Sequence, residues 1–341
     1  MGALIQLDHL KKYFPIVSGF IQKTVVDLKA VDGVSFSIEE GETFGLVGES
    51  GCGKTTIGKV LLKLYEPTGG KMFFRGEDIT NLRGFALDEY RKNIQAVFQN
   101  PYASLNSRMR IWRAIGEPLI VKGWSKEKVK EKVGELLELV MLPTDCGSRF
   151  PHEMSAGQRQ QIAIARALSI NPKFIVLDEP TSLLDVSAQA SILNLIVALQ
   201  KKLGLTYLFI SHNLMVVRFL SNRVGVMYCG KLVELANSRK LYLAPKHPYT
   251  QALLASVPTP DPEHQGEEIV LEGDVISPIN PPKGCRFYTR CHQYRKGCEE
   301  TEPSLIEIEP SHFVACHLYS RQNLADLLFP HSLPGLNMGH Q

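Results

Sequence analysis

Three features of this 341-residue sequence predict an α/β fold built on a mostly parallel sheet. Short unbroken apolar runs at 174–177, 205–210 and 224–228 have the texture of strands buried on both faces. They alternate with longer segments of helical period. A glycine-rich loop at 48–55 separates a strand signal from a helix signal. Strands that alternate with helices place those helices over both faces of the sheet.

The element signals follow one another through the first 245 residues. Residues 31–38 read as a strand, Gly41-Glu42 as a turn and 43–47 as the next strand. A helix is expected over 54–64, directly after the glycine-rich loop. Residues 125–140 are rich in Lys, Glu, Val and Leu, the pattern of an exposed amphipathic helix. Apolar residues at Ile162, Ala165 and Leu168 give 158–170 the same period. From about Pro245 the texture changes. Pro258, Pro260, Pro262, Pro278, Pro281 and Pro282 crowd one stretch, and the helical pattern fades. The chain therefore divides into 1–245 and an extension of 246–341, in keeping with roughly 150 residues per domain.

Composition narrows the function classes. A hydrophobic fraction of 44% with 21% charged residues is that of a chain able to build a sizeable core. No window holds the ~18 uninterrupted apolar residues of a membrane span, and the start lacks a secretory leader pattern. The balance of 38 Lys plus Arg against 35 Asp plus Glu leaves +3, too weak a bias to argue for nucleic acid. Seven cysteines without an export signal point to a reducing compartment, where clustered thiols bind metal more often than they pair.

Gly48-Glu49-Ser50-Gly51-Cys52-Gly53-Lys54-Thr55 matches G-x-x-x-x-G-K-[ST] throughout. Glycines let successive backbone N–H groups turn inward around a β-phosphate at the positive end of the helix that starts at Lys54. Lys54 then supplies a point charge to the β- and γ-phosphates, the Thr55 hydroxyl ligates Mg²⁺, and Thr56 reaches the α-phosphate. Nothing requires a thiol at Cys52, which reads as a small filler. Together these residues predict ATP and Mg²⁺ as cofactors. The apolar run 174–177 ends in Asp178 and Glu179. The first carboxylate at such a strand end holds Mg²⁺, and Glu179 is placed to polarise the water that attacks the γ-phosphate.

Between these motifs lies Met154-Ser155-Ala156-Gly157-Gln158-Arg159-Gln160, which resembles the signature of ATP-binding cassette (ABC) ATPases. Gln99 in Val97-Phe98-Gln99-Asn100-Pro101 resembles the family's Q-loop, Ser182-Leu183-Leu184-Asp185 its D-loop, His212 its switch histidine, and Tyr13 the aromatic residue that stacks on adenine. Residues 10–15, 97–109, Pro245-Lys246-His247-Pro248-Tyr249-Thr250 and 273–316 are similar to the ATP-binding subunits of oligopeptide/dipeptide importers.

The resemblance implies a P-loop NTPase of ABC type with a helical signature subdomain at about 100–170 and a small C-terminal extension. It adds Gln99 to the Mg²⁺ ligands and makes Glu179, His212, Lys54 and Gln99 the catalytic set. It further implies two cassettes facing head to tail, so that Ser155, Gly157, Gln158 and Asp185 serve ATP held by the partner's phosphate loop. The expected partners are a second ABC ATPase subunit in a heterodimer, two transmembrane permeases and an extracellular substrate-binding protein, with no nucleic acid. The expected place is the cytoplasmic face of the membrane. The rival within the superfamily is a soluble ABC ATPase of DNA repair. That class inserts long coiled-coil arms between loop and signature, whereas Lys54 and Ser155 lie 101 positions apart without sustained heptads.

Two residues depart from the family pattern. Ala156 stands where glycine is usual, and a positive φ there would be strained. Leu183 replaces the commoner alanine. In the extension, Cys285, Cys291, Cys298 and Cys316 are separated by five, six and 17 residues, which is neither a zinc-pair nor a bacterial ferredoxin spacing. The open readings are a four-cysteine metal site, reduced structural thiols, or zinc with His292, His312 or His317. The family resemblance implies the first, as a [4Fe–4S] cluster. Cys146 and Cys229 have no evident partners.

Overall fold

The computed structural model describes residues 2–18, 24–257, 269, 271, 273 and 276–319. Expected features elsewhere, including Pro258, Pro260 and Pro262, lie outside the described residues. The chain opens with two long antiparallel strands, β1 (Ala3–Ser18) and β2 (Thr24–Glu39), followed by β3 (Thr43–Val47), the glycine-rich loop and α1 (Lys54–Leu61). Next come β4 (Gly69–Phe74), β5 (Glu77–Asp78), α2 (Gly84–Asn93) and β6 (Ile94–Val97). A helical stretch holds α3 (Pro101–Ser104), α4 (Ile111–Val121), α5 (Lys126–Leu139) and α6 (Ala156–Leu168). Then β7 (Phe174–Asp178), α7 (Val186–Leu203), β8 (Thr206–Ile210), α8 (Leu214–Leu220) and β9 (Arg223–Tyr228) restore the alternation. The chain ends in β10 (Lys231–Asn237), α9 (Ser238–Leu243), α10 (Pro248–Ala255), β11 (Ile306–Glu309) and β12 (His312–Val314).

The main sheet has the order β11-β12-β10-β9-β3-β8-β7-β6, parallel from β9 to β6 and antiparallel from β9 to β11. Period-two alternation feeds two cores, one on each face. Phe174, Val176, Leu208 and Ile210 pack with Leu7, Val31, Ile57 and Val60. Ile175, Leu177, Tyr207 and Phe209 pack with Ile115, Val133, Leu136 and Ile162 of the helical stretch. This two-sided burial is why the strands read as unbroken apolar runs.

A second, antiparallel sheet has the order β2-β1-β4-β5; the strand expected at 31–38 lies within its β2, while β1, β4 and β5 were not expected from the sequence. Register shifts in the β1–β2 pairing between Leu7, Leu10, Lys11 and Tyr13 break the alternation that would have revealed it. The helix expected over 54–64 stops at Leu61, because Lys63 turns to φ 56° and donates from its ammonium to the Thr80 carbonyl at 2.7 Å. No helix among the described residues is long and apolar enough to cross a membrane.

Beyond Pro245 the chain returns to the main sheet and is fastened there by Glu234. This fully buried carboxylate accepts the N–H groups of Lys246 (2.8 Å) and His247 (2.9 Å) and meets His312 Nε2 at 2.7 Å. Strand β12 pairs along β10, with Val314 opposite Glu234. His247 Nδ1 in turn accepts the Tyr249 N–H at 3.0 Å and starts α10.

Burial of His247, offset only in part by Glu234, pushes its pKa down to about 4. The unfolded chain takes up this proton near pH 6.5, while the folded chain refuses it until about pH 4. Stability is therefore expected to fall as pH drops through that window, by about 3 kcal/mol from this residue. Denaturant unfolding at pH 7, 5.5 and 4.5 measures the slope. His247→Asn keeps an acceptor for Tyr249 N–H and is expected to flatten it.

Candidate active site

The loop between β3 and α1 makes its turns with Gly48 at φ 145°, Gly51 at φ 80° and Gly53 at φ 107°. A Cβ at Gly48 would stand 2.1 Å from the Met227 carbonyl oxygen, and one at Gly53 would stand 2.1 Å from that of Ala30. The loop is thus threaded between the end of β9 and the middle of β2, where only glycine fits. Lys54 Nζ folds back across it and donates to the carbonyls of Gly48 (2.7 Å) and Glu49 (2.9 Å). Cys52 is buried with its thiol pushed up by desolvation, as suits a filler. Ser50 and Gly51 are exposed, while Thr55 and Thr56 are half-buried at the start of α1.

Thr55 Oγ1 donates to Asp178 Oδ1 at 3.0 Å, joining the loop to the end of β7. Burial raises the Asp178 carboxyl above its ordinary range, and the Thr55 hydroxyl pulls it part of the way back. A divalent cation between this carboxylate and hydroxyl would reverse the burial effect. Glu179, the next residue, points elsewhere. Its backbone sits at φ 49° with its N–H on the Ile210 carbonyl at 2.9 Å. One carboxylate oxygen accepts from Gln99 Nε2 at 3.1 Å, and the other lies 3.1 Å from His212 Nδ1. Four expected residues, Gln99, Asp178, Glu179 and His212, therefore gather at the ends of β6, β7 and β8 beside the loop.

Other expected residues stand apart from this group. Ser155 caps α6: its hydroxyl accepts the Gln158 N–H at 3.3 Å, and Gln158 Oε1 accepts the Ser155 N–H at 2.9 Å. Ala156 begins the helix with no positive φ, so the strain foreseen there does not arise. Gly157 follows it, half-buried in the first turn of α6, where a Cβ would stand 3.3 Å from that of Ala188 on α7. Asp185 caps α7 by accepting the Ala188 N–H at 2.9 Å and the Ser187 hydroxyl at 2.7 Å. Arg159, on α6, donates to the Met154 carbonyl and lies 3.9 Å from the ring centre of Tyr102, which follows Gln99 by three residues. Tyr13 donates its hydroxyl to Asp32 and receives Lys29 over its ring at 5.6 Å.

An ABC transporter family model matches residues 31–182, and one for the oligopeptide/dipeptide transporter C-terminal region matches 233–298. The chain is 54% identical over 321 residues to the oligopeptide transport ATP-binding protein AppF of Bacillus subtilis (strain 168), covering 93% of this chain and 98% of the relative. It belongs to the oligopeptide/dipeptide ABC transporter ATP-binding subunits. A second relative, the putative oligopeptide transport ATP-binding protein YkfD of the same organism, is 52% identical over 323 residues, covering 93% and 95% of the two chains. Among solved structures, the dimeric post-hydrolysis state of the cassette MJ0796 bound to ADP and Pi superposes with a TM-score of 0.60 at 28% identity, covering 69% of this chain and 99% of that one. The α/β ABC ATPase fold and the ATPase activity expected of this chain are those of its family.

This importer-family cassette carries contacts that sequence reasoning missed. The Tyr249 hydroxyl accepts the Glu49 N–H at 2.9 Å, Arg290 grips the Glu49 side chain, and Arg286 grips Asp32. All three residues lay within stretches noted for family resemblance, but nothing local marked any of them as a contact to the phosphate loop or its surround.

The four cysteines of the extension do come together. Cys285, Cys291, Cys298 and Cys316 line one cavity of about 20 Å³ with Phe287 and His317. That space holds about one water molecule. Among the described residues no set of three or more His, Cys, Asp or Glu side chains stands in a metal-holding arrangement. Burial pushes the Cys285 thiol up to about 11 and the Cys316 thiol up to about 12, so both stay protonated at neutral pH. The expected iron–sulfur cluster thus finds no support in this packing.

Gly53→Ala is expected to abolish nucleotide binding, because the new methyl group displaces the Ala30 carbonyl. The strained φ adds about 1–3 kcal/mol of destabilisation. Thermal unfolding together with a fluorescent-nucleotide titration checks both effects.

Proposed function

We propose that this chain is the ATP-hydrolysing subunit of a peptide importer, and that Glu179 is its general base. The observation that carries the residue assignment is the division of labour between neighbouring carboxylates. Asp178 faces Thr55, where Mg²⁺ bound to ATP would sit, and Glu179 faces Gln99 and His212. A water held by the Glu179 carboxylate would lose its proton there as it attacks the γ-phosphate. Lys54 leaves its loop carbonyls for the β- and γ-phosphates, Gln99 reports the γ-phosphate and its metal, and His212 orients the base and the terminal phosphate. Tyr13 supplies the face on which adenine stacks.

Ser155, Gln158 and Asp185 cap helices, Gly157 sits in the first turn of α6, and none of the four makes the contacts described around Glu179. They are proposed to complete the site of a second cassette, with the N-terminus of α6 directed at that partner's γ-phosphate. ATP then favours the closed pair because it is held from both sides, and hydrolysis releases it. Tyr102 stacked on Arg159 ties the segment after Gln99 to the signature helix, a route by which closure reaches the permeases. The second cassette is proposed to be a distinct ATPase chain. Two permeases and an external peptide-binding protein complete the assembly, placing this subunit on the cytoplasmic face.

The four thiols, which converge on one cavity, are proposed as the ligands of a [4Fe–4S] cluster on the strength of the family resemblance and their all-sulfur donor set. When bound, the cluster would cross-link four points of the extension.

Glu179→Gln is expected to lower ATP turnover about 10²–10⁴-fold while ATP stays bound. Lys54→Ala is expected to weaken binding itself. Steady-state hydrolysis and equilibrium titration of both variants separate the roles, and equal loss of binding in the two overturns them. For the thiols, protein purified without oxygen is expected to be brown and to contain four iron atoms per chain. A colourless, iron-free chain overturns the cluster.

A further inference from the structure

The extension reaches the ATP site through Tyr249 and through two arginines of the short segment between Cys285 and Cys291. Arg290 Nη1 donates to both carboxylate oxygens of Glu49, at 3.1 and 3.0 Å, from 241 positions further along the chain. The Tyr249 hydroxyl takes the N–H of the same glutamate. Glu49 is therefore held at main chain and side chain by residues of the extension. Arg286, 254 positions from its partner, donates through Nη2 to Asp32 and through Nη1 to the Cys229 carbonyl at 2.5 Å. Asp32 accepts the Tyr13 hydroxyl and lies 3.4 Å from Lys231 Nζ.

We infer that Arg290 and Arg286 are positioning residues for the nucleotide, Arg290 for the phosphates through Glu49 and Arg286 for the base through Asp32 and Tyr13. The inference rests on the proposed reading of loop 48–55 and Tyr13 as the ATP site.

Both guanidiniums are nearly buried, at 9% and 4% side-chain exposure. Among the described residues, their Nε atoms have no hydrogen-bond partner. Burying an arginine in this way is costly, and the carboxylate it meets is the main compensation. The two pairs also do electrostatic work for the ligand. Glu49 lies in the loop that must receive a polyanionic triphosphate. Unpaired, its carboxylate repels the ligand; held by Arg290, it is neutralised and the loop amides keep their convergence. Arg286 instead stiffens Asp32, which fixes the tilt of the Tyr13 ring, a contact with the base and not with the phosphates.

The two roles predict different losses, read with two probes on the full chain: MgATP and magnesium tripolyphosphate, which has the phosphates and no base. Arg290→Ala is expected to weaken both ligands about 10- to 100-fold. Arg286→Ala is expected to weaken MgATP and leave tripolyphosphate unchanged. Adding Glu49→Gln to Arg290→Ala removes the unpaired charge and is expected to recover most of the lost tripolyphosphate affinity. Arg290→Lys, which keeps the charge, is expected to fall between the wild type and Arg290→Ala. Thermal unfolding of each variant shows whether the extension stays docked. The inference is overturned if folded Arg290→Ala binds both probes normally. It is overturned equally if both alanine variants lose both probes alike and Glu49→Gln restores nothing. A wild-type chain that binds neither probe speaks against the ATP site itself, a separate outcome.

Discussion

Two backbone carbonyls, those of Ala30 and Met227, set the geometry on which the site depends. Each stands where a side chain on Gly53 or Gly48 would need to be, so the phosphate loop is pressed against β2 and β9 with no slack. Strand β9 therefore does more than extend the sheet. Its last residues form the floor of the loop, and Cys52 O accepts the Gly230 N–H at 2.9 Å immediately after it. The parallel strands β3, β8, β7 and β6 then deliver Lys54, His212, Asp178, Glu179 and Gln99 to one edge, as is general for ligand sites at the carboxyl ends of parallel sheets.

Charge is distributed around that edge with little redundancy. Lys54 rests on two carbonyls, Asp178 on one hydroxyl, and Glu179 between an amide and an imidazole. None of these contacts is a tight ion pair, so each can be exchanged for a nucleotide contact at small cost. The strong ion pairs brace this edge from behind, Arg290 holding Glu49 of the loop itself and Arg286–Asp32 and Arg223–Glu42 lying farther out. That layering gives a rigid surround and an interior still free to accept ligand, metal and water.

What could be read from the sequence follows the range of the interactions. Strands β3, β7 and β8 were legible because both of their faces are buried, and Gly48 to Thr55 because its chemistry is contiguous. Helix α6 was placed two residues late, since its start is marked by the Ser155–Gln158 cap and not by apolar period. Helix α4 was hidden by Pro118 in its interior, and β1 by its register shifts. Glu179 was legible as the second carboxylate at a strand end, whereas Gln99 and His212 came to notice only through family resemblance, because a lone Gln or His carries no local signal. The Arg290–Glu49 pair was beyond reach for a related reason: two charged residues 241 positions apart leave no trace in composition or period.

Strand β10 is completed by β12, whose residues are numbered some eighty positions later. During synthesis, the cassette up to β10 emerges with an apolar edge strand, including Leu232, Val233 and Leu235, still unpaired. An open hydrophobic edge is a template for wrong pairing with other chains. Glu234 lies in the middle of that edge as a carboxylate that no apolar strand can bury without penalty. Until His312 and the amides of Lys246 and His247 arrive, its charge keeps the edge solvated. The same residue that later locks the extension in place thus acts first as a gatekeeper against aggregation.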